Sequence, residues 1–180
     1  MSITSHLMTA EELIRLPSGR HRYELVKGEL LTMSPSGGEH GFIVINLSAP
    51  LAIFVRTNRL GFVFGAETGF WMEHAPDTVL APDISFIRGD RLETVSTGYL
   101  EIVPDLVVEV ISPSESKRKV EKKTAQWLDF GVREVWLVQP STRTVEVRTI
   151  NESKTLSEND DLSADNIVPG FRILVREIFE

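Results

Sequence analysis

The sequence predicts an α/β fold in which a mixed β-sheet is flanked by helices. Residues 106–111 (LVVEVI) and 134–140 (EVWLVQP) are rich in aliphatic side chains, as is typical of central strands. Residues 116–130, which lie between them, have helical spacing. The chain has 180 residues and no internal repeat or linker, so we expect a single domain over residues 1–180, with its core at about 9–178.

The N-terminal part predicts a short helix, a hairpin and a long helix. Residues 9–12 (TAEE) form a capping box that opens a helix ending near Leu16. In residues 21–33, two apolar-rich segments flank a Lys-Gly pair, which predicts a β-hairpin. Residues 39–57 have helical periodicity with a kink or stagger at Pro50, and the predicted apolar stripe consists of Phe42, Ile45, Leu51, Phe54 and Val55.

The remaining segments predict further strands and one more helix. The helix at 116–130 places Val120, Thr124 and Trp127 on one side and ends at Gly131. Residues 151–166 are acidic and polar, as in a surface loop or edge hairpin, and residues 168–180 should dock back on the core. Besides 106–111 and 134–140, strands are predicted at 62–64, 69–72, 83–87 and 144–150.

The composition excludes several classes of function. The chain has no cysteine, which excludes disulfides, thiolate catalysis and cysteine-based zinc sites, so that a bound metal would be a hard cation with oxygen ligands. The net charge of −7 argues against an architectural DNA protein. No apolar run approaches the roughly 20 residues of a membrane span, and the first residues lack the features of a signal peptide, so we expect a cytoplasmic protein.

Glu109 interrupts the aliphatic run 106–111. Alternation along a strand places it on the same face as Val107 and Ile111, and a buried carboxylate without a partner would be costly. One explanation is structural: Glu109 forms an ion pair with a Lys or Arg, or it lies at the end of the strand, where water reaches the carboxylate. The other is a divalent cation shared with Asp83, which opens the predicted strand in LAPDISFI.

The helix that follows Glu109 carries the basic residues of interest. Lys123 lies three residues after Val120 and four before Trp127, so it shares or borders the buried side of that helix. The neighbouring Lys117, Arg118 and Lys122 are better placed to face solvent. Each of these cations, taken alone, is more often a solvated surface charge than a functional group.

The motifs in this order resemble one known family. They are PD at 82–83, VVEV at 107–110, SPS at 112–114, Lys123 ahead of an aromatic residue, EVWLV at 134–138 and, upstream, YELVKGEL with a histidine at position 40. The chain thereby resembles the Uma-type restriction endonuclease family, which belongs to the PD-(D/E)XK nuclease superfamily. The likeness extends over about residues 9–178 and implies a restriction-endonuclease-like core.

The resemblance implies a role for each matching residue. Asp83 and Glu109 would bind Mg²⁺ or Mn²⁺, with the Val110 carbonyl as a further ligand. Lys123 would be the superfamily lysine moved from the strand to the helix, since Ile111 occupies the usual lysine position. Two further matches, Glu24 and His40, would be additional site residues. Glu67 is a further candidate acid of the site, but a purely structural role explains it at least as well. Trp127 and Gln139 stand where the family commonly has Tyr and Asp, and neither is expected to touch the proposed metal ligands.

The function implied is metal-dependent hydrolysis of phosphodiester bonds in DNA. The cation would polarise the phosphate and activate a water, while Lys123 would stabilise the transition state or help to deprotonate that water. By analogy with related nucleases we expect a homodimer. A short basic track would contact backbone phosphates: Lys117, Arg118, Lys119 and Lys122.

Two other classes of function stay open at this stage. A fold and a motif can persist in a protein that binds nucleic acid or assembles without turnover, and the acidic composition suits this alternative. A small-molecule hydrolase or transferase is the third class, but the chain has no nucleophile elbow, P-loop, dinucleotide fingerprint or His-Glu-x-x-His motif.

Overall fold

The structure is a computed structural model that describes residues 6–17, 21–113 and 115–180. Within them, three α-helices and a closing 3₁₀ turn form: α1 (Ala10–Leu13), α2 (Gly38–Thr57), α3 (Lys117–Asp129) and the turn Val175–Ile178. The strands of the described residues are β1 (Arg22–Val26), β2 (Glu29–Met33), β3 (Gly61–Phe64), β4 (Phe70–Glu73), β5 (Thr78–Leu80), β6 (Ile84–Arg88), β7 (Leu106–Val110), β8 (Glu134–Gln139), β9 (Thr144–Arg148), β10 (Ser153–Leu156), β11 (Asp161–Ser163) and β12 (Arg172–Leu174).

The largest sheet is mixed, as predicted. Its strand order is β10-β9-β8-β7-β6-β3, and β7 pairs in parallel with β8 but antiparallel with β6. The helix α3 connects the two parallel strands, which is the usual crossover for such a pair. The predicted fold class, a mixed α/β sheet flanked by helices, is therefore confirmed.

Strand β7 is covered on both faces. Leu106, Val108 and Val110 lie in a core cluster with residues of α2, whereas Val107 lies in a second cluster with Trp127 of α3. This is the alternation that the sequence predicted. Glu109 consequently points to the face that α3 covers.

A four-stranded sheet, in the order β2-β1-β5-β4, lies beside Asp83. The predicted hairpin is present, and its turn uses Lys27 and Gly28, which have φ values of 50° and 78° as a tight two-residue hairpin turn requires. Strand β5 was not predicted. It has only three residues and pairs with β1 and β4, partners that local sequence does not specify.

The predicted apolar stripe of α2 is wrong in part. The buried residues are Ile43, Leu47, Leu51 and Val55, while Phe42 and Ile45 are about half exposed. The helix is apolar on nearly every side and Pro50 lies within it, so periodicity did not identify the inner face. By length and a mean hydropathy of 1.4 it also satisfies the composition of a membrane span, a weak signal that core helices share.

The other predicted elements agree with the structure apart from their ends. Helix α1 ends at Leu13 rather than near Leu16, and its Thr9 capping box is present. Helix α3 is capped by Ser116, and Gly131 beyond it has a φ of 98°. Strand β10 lies at the sheet edge and pairs with β9, whereas β11 pairs with β12, so residues 151–166 do not form a hairpin of their own. Val175 and Ile178 of the closing turn are buried, as expected of a segment that docks on the core. The extent of the domain over residues 1–180 stays a prediction.

Candidate active site

Three distant segments bring together two carboxylates and one lysine. Lys123 Nζ on α3 lies 2.9 Å from Glu109 Oε1 on β7 and 3.0 Å from Glu24 Oε1 on β1. The same Glu24 oxygen accepts a hydrogen bond from the Ala81 N–H at 3.0 Å. The hairpin, the central strand and the helix thus meet at a single ammonium group.

Asp83 lies next to Glu109 because of strand register. Ile84 of β6 pairs antiparallel with Val108 of β7, and continuing this register places Asp83 beside Glu109 on the same face. The Val110 N–H donates to Asp83 Oδ2 at 2.9 Å, and His40 Nε2 hydrogen-bonds Oδ1 at 3.0 Å. Asp83 itself is 3% exposed.

These groups line a cavity of about 470 Å³. The cavity lies between the N-terminus of α2, the loop after β2 and the loop after β7. Its lining includes Asp83, Glu109, Val110, Lys123, His40, Arg22 and Ser36. A cavity of this size with convergent charged groups is suited to ligand binding.

Burial dominates the electrostatics of Glu109. Removal from water raises the pKa of the Glu109 carboxyl to about 7, although the Lys123 ammonium acts in the opposite direction. The neighbouring carboxylates of Asp83 and Glu24 raise this pKa further. The Trp127 indole N–H also donates to Glu109 Oε1, at 2.9 Å, and so fixes the carboxyl against α3.

The other two charged groups stay ionised. Burial alone would lower the pKa of Lys123, but Glu109 and Glu24 outweigh it and raise the pKa above its usual range. Burial alone would raise the pKa of Asp83. Hydrogen bonds from His40 and from the Val110 N–H outweigh burial and hold this pKa below its usual range. The cavity lining therefore includes an ammonium group, Lys123, and a carboxylate, Asp83, that are both charged at neutral pH.

The donor set fits a hard cation with few protein ligands. The part of the chain that the structure describes has no group of three or more Asp, Glu, His or Cys residues suited to a metal. Asp83, Glu109 and Val110 all line the cavity, so a cation there would meet two carboxylates. Mg²⁺ is commonly held by one or two carboxylates, with water and substrate phosphate completing its shell.

Known proteins resemble the chain along most of its length. The family model Uma2, described as "Putative restriction endonuclease", matches residues 10–176. The chain belongs to the Uma2 family. A solved structure from Anabaena variabilis ATCC 29413, described as a "putative nuclease belonging to DUF820", superposes with a TM-score of 0.81 at 22% identity, covering 96% of this chain and 97% of that one. No curated protein matches.

Membership of the Uma2 family confirms the resemblance that the motifs indicated. The description of this family supports a nuclease, and restriction-endonuclease-like nucleases generally use divalent metal ions. At 22% identity the solved structure shows the fold alone. The roles of individual residues stay predictions.

The structure does not bring every candidate residue of this Uma2 chain into the cavity. The basic residues of α3 other than Lys123 are exposed and outside the cavity lining: Lys117, Arg118, Lys119 and Lys122. Glu67 is 69% exposed and reaches the site only through Arg22, whose Nε lies 3.7 Å from Glu67 Oε1. His6, His21 and His74 are exposed and lie outside this cavity lining.

Sequence reasoning missed two residues of this Uma2 site. Arg22 lies two positions before Glu24 on β1, so strand alternation directs both side chains to one face. The expectation that Trp127 does not touch the proposed metal ligands is wrong, because its indole N–H donates to Glu109. Trp127 lies one helical turn after Lys123, which faces the same carboxylate. Both spacings are visible in the sequence. Neither of them indicates that the side chain contacts Glu109 or Asp83.

Proposed function

We propose that the chain is a divalent-cation-dependent endodeoxyribonuclease. The observation that supports this best is the Lys123 ammonium, held between Glu109 and Glu24 in the cavity that Asp83 also lines. A carboxylate pair that can hold a cation, next to a fixed positive charge, suits hydrolysis of a phosphodiester. Membership of the Uma2 family points to the same reaction class.

The cation would be Mg²⁺ or Mn²⁺, held by Asp83, Glu109 and the Val110 carbonyl. When bound, it would supply Lewis acidity toward the phosphate and lower the pKa of a water. Asp83 is the better first ligand, because its pKa is depressed and it is ionised throughout the neutral range. Glu109 must lose its proton to bind metal, so its contribution grows as the pH approaches and passes 7.

Lys123 would act through its charge. Its raised pKa means that it holds its proton at neutral pH, which favours stabilisation of the transition-state negative charge over abstraction of a proton from water. Glu24 would orient the ammonium, and its own position is fixed by the Ala81 N–H. His40 would orient Asp83 through the contact at Oδ1.

The substrate in this proposal is DNA, bound largely through its backbone. The exposed track of Lys117, Arg118, Lys119 and Lys122 begins at the first turn of α3, on the helix that carries Lys123. Contacts of this kind depend on phosphate spacing and not on base sequence. We further propose a cytoplasmic homodimer, since two copies would be needed to cut both strands in one binding event.

One observation favours the alternative, a nuclease-like module that binds without turnover. Both carboxyl oxygens of Glu109 contact Lys123, and one also accepts from Trp127; both oxygens of Asp83 are likewise occupied by protein donors. A cation would have to compete with these contacts. A module that keeps them would bind nucleic acid but not hydrolyse it.

Plasmid nicking with Mg²⁺ or Mn²⁺ separates the two functions. Glu109→Gln is expected to abolish nicking, whereas the matched control Glu134→Gln should retain it. Glu134 is also a half-buried carboxylate that accepts an indole N–H, from Trp136, but it lies outside the cavity lining. Nicking that persists in Glu109→Gln indicates a contaminant and contradicts the proposal, while DNA binding without nicking by the wild type supports the alternative.

A further inference from the structure

Arg22 borders the cavity on the side of Asp83. Its side chain is 16% exposed and its guanidinium reaches three groups. Nη1 donates to Ser36 Oγ at 3.1 Å, Nη2 lies 3.4 Å from Asp83 Oδ1, and Nε lies 3.7 Å from Glu67 Oε1. The Arg22 guanidinium thus lies among three acceptors, but neither carboxylate binds it closely.

The two carboxylate contacts are long for a charge-assisted hydrogen bond, which is typically about 2.7–2.9 Å. A guanidinium has five N–H donors, and partial burial raises the cost of leaving them poorly paired. Glu67 offers little compensation, because it is 69% exposed and solvent screens its charge. Arg22 therefore has unused capacity for a strong acceptor that enters the cavity.

Arg148 shows what a fully paired arginine looks like in the same chain. At 22% exposure, its burial is similar, yet it donates to Glu121 through two bonds of 2.8 and 2.9 Å and to Glu146 at 2.7 Å. That fork geometry satisfies the guanidinium within the protein. Arg22 has no such bidentate partner among the described residues, so the difference does not follow from burial alone.

The two cations of the cavity also differ in their freedom to bind an anion. Lys123 is closely paired with Glu109 and Glu24 at 2.9 and 3.0 Å, whereas Arg22 meets Asp83 only at 3.4 Å. Ser36, the hydroxyl partner of Arg22, lines the same cavity. A tetrahedral anion with several oxygens can accept from a guanidinium and a hydroxyl at once.

We propose that Arg22 and Ser36 form an anion subsite for a phosphate group. The identity of that phosphate as part of a nucleic-acid backbone rests on the proposed nuclease function. The subsite would lie beside Asp83 and hold the substrate next to the carboxylates. Since a cation at Asp83 would compete with Arg22 for Oδ1, removal of Arg22 is expected to strengthen binding of Mn²⁺ alone.

Calorimetric titration with inorganic phosphate, in the presence of Mg²⁺, tests the subsite directly. The wild type should bind phosphate, Arg22→Gln should bind it about tenfold more weakly or worse, and Arg148→Gln should match the wild type despite lower thermal stability. Wild-type protein that does not bind phosphate, or equal binding by Arg22→Gln, overturns the inference. If Arg22→Gln does not fold, Ser36→Ala at the exposed hydroxyl replaces it, and unchanged affinity in that variant has the same meaning.

Plasmid nicking, measured separately, distinguishes failure of the subsite from failure of the proposed function. Phosphate binding that depends on Arg22, in a protein that nicks no DNA, would leave the subsite intact and reject the nuclease. Nicking with an unchanged KM in Arg22→Gln would reject the subsite and leave the nuclease intact. A titration of Mn²⁺ alone adds an independent measurement, and weaker binding by Arg22→Gln would contradict the competition at Asp83.

Discussion

Protonation of Glu109 makes the stability of the fold depend on pH. In the folded protein burial raises the pKa of this carboxyl from 4.5 to about 7, whereas in the unfolded chain it returns to its ordinary value. Between these two values the folded state holds a proton that the unfolded state has lost. Stability must therefore fall as pH rises through this window. Glu109→Gln, which carries no charge at any pH, removes this contribution.

The size of the effect follows from the shift. Each pKa unit corresponds to about 1.4 kcal/mol, so a change from 4.5 to about 7 is worth roughly 3 kcal/mol. The side chain is only 12% exposed, so solvent screening is small. The unfolding free energy of the wild type, relative to that of Glu109→Gln, should accordingly fall by about 3 kcal/mol between pH 4.5 and pH 7. Above pH 7 the difference should stay constant.

Urea unfolding followed by tryptophan fluorescence measures this difference at each pH. The contributions of titrating groups far from Glu109 cancel when the two proteins are compared. Asp83 interacts with Glu109, but its pKa is held below its ordinary value and so lies below the window. Lys123 stays protonated across the whole range in the wild type, so it adds no slope. A difference that is independent of pH, or one that moves in favour of the wild type as pH rises, would refute the argument that burial controls Glu109.

Three further predictions concern two residues that contact Glu109 and one glycine of β3. Lys123→Met should lower kcat for plasmid nicking by about 10²–10³-fold, whereas Lys154→Met, on the exposed edge strand β10, should not; similar losses in both would indicate a general charge effect. Trp127→Phe removes the indole donor from Glu109 and should cost about 1–3 kcal/mol of unfolding free energy, so an unchanged urea midpoint would show that this bond adds nothing. Gly61→Ala would place a Cβ 2.1 Å from a backbone carbonyl of β6 and should destabilise the fold by about 3 kcal/mol or more in the same assay, with wild-type stability as the contrary result.

The sequence predicted those parts of the fold in which a local pattern determines the outcome. Alternation along β7 identified both covered faces, and the spacing of Val120, Thr124 and Trp127 identified the inner side of α3. The pattern failed in α2, where apolar residues such as Phe42 and Ile45 occur on the outer side as well. It also failed for β5, since three residues acquire strand geometry only from their partners β1 and β4.

For the site, the sequence identified the residues but not the contacts. Glu24 and the Ala81 N–H that fixes it are 57 positions apart, and no periodicity links them. Arg22 was overlooked because a single arginine on a hairpin strand is usually a surface charge. Its significance appears only when the distances to Asp83 and Glu67 are known. Roles for Asp83, Glu109 and Lys123 therefore stay predictions until variants are measured.

The placement of the lysine on α3 follows from how β7 is covered. Ile111, two positions after Glu109, lies on the same face and packs partly buried in the cluster with Val107 and Trp127. Because Ile111 also lines the cavity, a lysine there would run its stem along that cluster and turn its ammonium back toward the preceding carboxylate. A helix that crosses the same face meets Glu109 from outside and supplies Lys123 Nζ and Trp127 Nε1 from successive turns, both at 2.9 Å. Helix α3 thus fixes the Glu109 carboxylate on the side that it covers. The cavity that Glu109 and Asp83 both line stays accessible on the other side.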